Sequence, residues 1–162
     1  MTYSPELCLT LYPNAKGKGY VISESPKELV NYGVSKVRPI HKDFIKRLQK
    51  FLTQYRPTLI ILRDYNPQDY RISKRIKKVL NNFKDLAQQN DIPVHSYNRE
   101  QIKEVFEMFG KTNKYGISKS IANFYPELQH RMPNLRKNCD SEHYQMAVFD
   151  AFSLMLTHYY IK

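Results

Sequence analysis

The spacing of apolar positions along the chain changes several times, and each change marks an element. Residues 7–12, Leu-Cys-Leu-Thr-Leu-Tyr, read as a short strand that stops at Pro13 and Asn14. Gly17-Lys18-Gly19 supplies a turn. Residues 19–23 and 29–34 read as two more strands, spaced for antiparallel hairpins. From 40 to 55 the period becomes helical, with Phe44, Leu48, Phe51 and Leu52 on one face and Arg56-Pro57 as the stop. Residues 58–62, Thr-Leu-Ile-Ile-Leu, are apolar without alternation, as expected of a strand buried on both faces in a sheet covered by helices.

A long helix is expected over 70–89, with Ile72, Ile76, Val79, Leu80, Phe83 and Leu86 inward. Residues 92–97 form a fifth strand, and Pro93 places it at an edge or at a strand start. Helices follow over 99–109 and 117–124, separated by a basic loop at 110–116. Residues 126–138 read as irregular, with Pro126 and Pro133 as breakers. A last helix covers 141–160. Three strands arrive as a meander and two more through helices, which permits parallel pairing by right-handed crossovers. The expectation is one α/β domain, residues 1–162, with a mixed five-stranded sheet flanked by helices.

The last helix carries the main chemical signal. Asp150 sits amid Val148, Phe149, Ala151 and Leu154. A carboxylate there loses hydration and needs a partner, a proton or a metal ion, unless it simply meets solvent or an arginine.

Composition sharpens this. With 26 Lys and Arg against 15 acids the formal net charge is +11, which favours a polyanionic partner, nucleic acid first and an anionic membrane second. Cys8 and Cys139 lie far apart and match no zinc spacing; they read as reduced thiols of a cytoplasmic protein. No signal peptide and no membrane-spanning run is visible.

Arg71, Lys74, Arg75 and Lys78 recur at i, i+3, i+4, i+7 with no acid between Arg71 and Lys84, a stripe suited to phosphate contacts. Arg38, His41, Lys42, Lys46, Arg47 and Lys50 make a second basic helix, diluted by Asp43. The loop around Lys114 is a third candidate, with Lys119 beside it. Tyr65, Tyr70 and Tyr115 flank these groups and could stack on unpaired bases or simply pack. No Gly-rich phosphate loop, Ser-His-Asp order or Cys-His nucleophile pair stands out.

The element order and four local stretches resemble the RNase H-like superfamily, in its RuvC-like Holliday-junction resolvase branch. The stretches are residues 9–14 with 17–20, residues 57–64, residues 95–103 and residues 149–154, where Asp-Ala opens an apolar run. Lys114 also resembles the family's lysine at a helix start near the scissile strand. The resemblance implies phosphodiester cleavage by two Mg²⁺ or Mn²⁺ ions held by four carboxylates. It also implies a branched or single-stranded DNA partner and a homodimer.

It places the four acids at Tyr12, Arg63, Ala147 and Asp150, so the resemblance implies a divergent member with a degenerate acidic site. Asp64 follows Arg63 and could be re-aimed by a bulge. His143 lies about 20° off the line of Asp150 at roughly 100° per residue, and Glu142 is long enough to swing in. Asp64, Glu142, His143 and Asp150 could then hold a metal ion, with Lys114 stabilising charge on the phosphate. Alternatively Tyr12 and Arg63 engage the acids and replace the metal. The simpler reading has Glu142 serving the helix start and His143 as a polar first-turn residue. Three functions follow: a metal-dependent endonuclease, a nucleic-acid binder that lost cleavage, and a protein-interaction scaffold.

Overall fold

The computed structural model describes residues 6–14, 17–35, 41–66, 68, 71–110, 112–132 and 145–161, with 41–44 as backbone. Its elements are β1 (Cys8–Pro13), β2 (Lys18–Ser23), β3 (Leu29–Ser35), α1 (His41–Tyr55), β4 (Leu59–Arg63), α2 (Lys74–Gln89), β5 (Val94–Tyr97), α3 (Arg99–Glu107), α4 (Lys114–Phe124), a 3-10 helix (Pro126–Arg131) and α5 (Met146–Ile161).

The sheet runs β3-β2-β1-β4-β5. The meander β1-β2-β3 is antiparallel, and β4 and β5 join in parallel after helical crossovers. Leu59, Ile60, Ile61 and Leu62 are all buried, as an apolar run between two parallel neighbours requires. Pro93 directly precedes the edge strand β5, where a missing N–H costs no ladder bond.

Alternation sorts the strands into two cores. Cys8, Tyr12, Val21, Leu59, Ile61 and Tyr97 face α3, α4 and α5. Leu9, Leu11, Ile22, Ile60 and Leu62 face α1 and α2. α5 is buried continuously from Met146 to His158, which explains its apolarity on most sides. It lies so close to β2 that a Cβ on Gly19 would stand 1.8 Å from the Ala147 carbonyl oxygen. Glycine is required there by contact with α5.

The described helix α5 begins at Met146 and α3 ends at Glu107, inside the expected ranges, and three further differences have a local reason. α2 begins at Lys74, not at 70, because the Ser73 hydroxyl accepts the Ile76 N–H and caps it. Arg71 therefore precedes the helix and does not share its stripe. α4 begins at Lys114, not at 117, because the Asn113 side chain accepts the Gly116 N–H at 2.7 Å. Residues Pro126–Arg131 of the stretch expected to be irregular form a 3-10 helix, with proline in its first turn, and 133–138 lie outside the described residues. Glu142, His143, Cys139, Arg38 and Tyr70 lie outside the described residues, as do the side chains of His41 and Lys42.

Candidate functional site

Four elements meet at the C-terminal end of β1. Tyr12 closes that strand on the α5 face, and Arg63 ends β4, the parallel neighbour whose Leu62 pairs with Leu11. The Arg63 guanidinium lies over the Tyr12 ring, 4.7 Å from its centroid, and donates to the Pro13 carbonyl at 3.3 Å. Asp150 reaches the same end from the first turns of α5 and is 4 % exposed.

Its Oδ2 accepts from Asn14 Nδ2 at 3.3 Å and pairs with Lys114 Nζ at 3.4 Å. Asn14 is fixed by the hairpin it helps to close. Its N–H donates to the Gly17 carbonyl, and its Oδ1 accepts the Gly17 N–H, both at 2.9 Å. Lys114 is positioned by the capped start of α4. Burial pushes the Tyr12 phenol up from 10.0, and the Asp150 charge pushes the same way, while Arg63, Lys114 and Arg99 oppose it. The phenol is thus held in its neutral form, beside three cations and one anion.

The other sequence-predicted residues fall elsewhere. Asp64 is exposed, and its backbone continues the β4–β5 ladder by donating to the Tyr97 carbonyl at 2.7 Å. That continuity leaves no bulge to re-aim it, and alternation sends it to the side opposite Arg63. Its Oδ1 accepts the Tyr65 N–H at 2.9 Å, and among the described residues it has no hydrogen bond or ion pair with the Asp150 centre. Lys74, Arg75 and Lys78 are exposed on α2, and Arg71 is exposed before it. Lys119 is exposed on α4, about 140° around the helix from Lys114 at roughly 100° per residue.

Asn14 is a site residue that sequence reasoning did not single out, and Lys18 stands near it in the same hairpin. Lys18 pairs with Pro13 across the hairpin. Its ammonium is driven below 10.5 by burial and by the nearby Arg75 charge. An Asn ending a strand before a Gly turn was the signal for Asn14, but it read only as a turn.

Solved structures of the same shape are similar to this chain. A Thermus thermophilus RuvC in complex with a Holliday junction substrate superimposes with a TM-score of 0.62 at 16 % identity, over 96 % of this chain and 94 % of that one. The yeast mitochondrial Holliday junction resolvase Ydc2 gives 0.62 at 12 % identity, over 97 % and 78 %. The fowlpox virus resolvase bound to Holliday junction DNA gives 0.53 at 13 %, over 96 % and 99 %. The chain shares the RNase H-like fold of these RuvC-like structures. No protein-family description matches the chain, and no curated protein does. Identity this low carries the RuvC-like fold and leaves function to the side chains.

The donor set decides how a metal would fit. Two-ion phosphodiester chemistry needs several hard oxygen anions converging on neighbouring ions. Among the described residues the centre offers one carboxylate, whose Oδ2 already holds Lys114 and Asn14, and a phenol kept protonated. Arg63 over the Tyr12 ring and Lys114 at Asp150 place positive charge at the same two side chains, where it opposes a bound cation. The described residues therefore do not fit a two-ion centre.

Proposed function

We propose that this protein binds nucleic acid through its sugar–phosphate backbone at the strand-end face around Asp150, and that this centre binds without cleaving. The observation that supports the reading most is the charge of the centre: Arg63 lies over the Tyr12 ring, Lys114 pairs with Asp150, and Tyr12 feels the positive charge of Arg63, Lys114 and Arg99 against the negative charge of Asp150. Exposed Lys74 and Arg75 add to it from the first turn of α2, against the helix's own dipole, in a turn with no acid. Cations kept at a positive helix end are best explained by an anionic partner. The solved neighbours bound to Holliday junctions make branched DNA the first substrate to try, with single-stranded DNA next.

The deciding experiment measures binding to a four-way junction and to single-stranded DNA over a salt series, with cleavage assayed in Mg²⁺ and in Mn²⁺. Binding that weakens steeply with salt and drops on Lys114→Met supports the proposal. Failure to bind either DNA at low salt would leave only a protein-interaction role. Metal-dependent cleavage that disappears in Asp150→Asn would overturn the non-cleaving half. It would restore an arrangement in which Asp150 shares an ion with Glu142 or His143.

A further inference from the structure

A second cluster lies at the opposite end of β1 and α5. Cys8 is four residues before Tyr12, about 13 Å along the strand at roughly 3.3 Å per residue. His158 is eight residues beyond Asp150, about 12 Å along the helix at roughly 1.5 Å per residue. Glu6 stands two residues before Cys8. Cys8 and His158 are 0 % and 1 % exposed, and Glu6 is half-buried. One ligand atom from each, a carboxylate oxygen, Sγ and a ring nitrogen, lie within 4.8 Å of one another.

Three features point to a metal. Ligand atoms around a tetrahedral Zn²⁺, at roughly 2.0–2.3 Å from the ion, stand about 3.3–3.8 Å apart, so small side-chain shifts would close this cluster. Second, the imidazole is oriented from behind. The Tyr97 hydroxyl lies 2.8 Å from His158 Nδ1, the arrangement by which metal-bound histidines are held, and it assigns Nε2 to the ion. Third, thiolate and carboxylate would neutralise a divalent cation in a place where uncompensated charge is costly. A thiolate–imidazole–carboxylate set suits Zn²⁺ over Mg²⁺.

We propose that Glu6, Cys8 and His158 form a zinc site, with solvent in the fourth position. Binding forms Zn–S, Zn–N and Zn–O bonds and releases the Cys8 thiol proton to solvent. The ion ties the lead-in of β1 to the last turns of α5, remote from the Asp150 centre. Tyr159 borders the site, its hydroxyl 3.0 Å from Ser23 Oγ and also bonded to Cys8.

Titration of the reduced full-length chain with Co²⁺, then Zn²⁺, tests this. The expected result is one ion per chain, with a thiolate-to-cobalt band and tetrahedral visible bands that Zn²⁺ displaces, and a melting temperature that rises with Zn²⁺. Cys139→Ser should behave as wild type, and Cys8→Ser should lose the thiolate band. Should Cys8→Ser fail to fold, Glu6→Gln decides, with an affinity loss on the order of tenfold or more expected for a removed ligand. Absence of stoichiometric binding would overturn the site. So would a thiolate band that needs Cys139 instead of Cys8, or an affinity unchanged in Glu6→Gln.

Discussion

Asp150 and Lys114 are unequal partners, and the inequality has a measurable consequence. The carboxylate is 4 % exposed, whereas the lysine side chain is 38 % exposed. Removing the carboxylate charge leaves an ammonium that water can reach. Removing the ammonium leaves a desolvated carboxylate without that counter-charge, and losing one charged partner of a buried group costs about 1–3 kcal/mol. Lys114→Met should therefore destabilise the fold by about that amount, and Asp150→Asn should cost less because the amide keeps the shape and can still bond. Chemical denaturation of both variants compares them. An Asp150→Asn variant less stable than Lys114→Met would mean that the carboxylate's charge has a role beyond this pair.

At the scale of elements, α5 decides where the centre sits, and Gly19 decides where α5 sits. The Ala147 carbonyl occupies the volume a Cβ on Gly19 would need. The clash is backbone against backbone, so no rotamer change relieves it. Gly19→Ala should lift the first turn of α5 and cost about 3 kcal/mol or more, at the upper end of overpacking. It should also weaken DNA binding, because Asp150 rides on that turn. Denaturation and binding measurements on this one variant should change together. β4 and α5 were legible in the sequence because burial on both faces removes alternation from a strand and burial on most sides erases the period of a helix. The starts of α2 and α4 were not, because Ser73 and Asn113 set them by single side-chain caps that outweigh apolar periodicity. Asp150 was legible as an acid in an apolar helix. The zinc cluster was not, since Glu6 and Cys8 meet His158 only through folding, and sequence spacing carries no trace of it.

At the scale of the whole molecule, one hairpin brings two of the basic groups into relation. Lys18 pairs with Pro13 in the hairpin that holds Asn14, and its ammonium feels the Arg75 charge on α2. The hairpin therefore links the basic start of α2 to the Asp150–Lys114 centre, so a nucleic-acid backbone laid along this hairpin can touch both. Each phosphate contact releases about 0.9 counterion from duplex DNA and about 0.7 from a single strand. Replacing Lys74, Arg75 and Lys78 together by Gln should lower the log–log salt slope by about two to three on duplex-containing substrates. Lys119→Gln, on another face of α4, should change it by less than one. The measurement is the slope and not a single affinity, since a folding defect lowers the active fraction without altering salt dependence. Equal slopes for wild type and the triple variant would move the binding edge away from α2. The Asp150 centre would then have to recruit its polyanion through α3 and α4 alone.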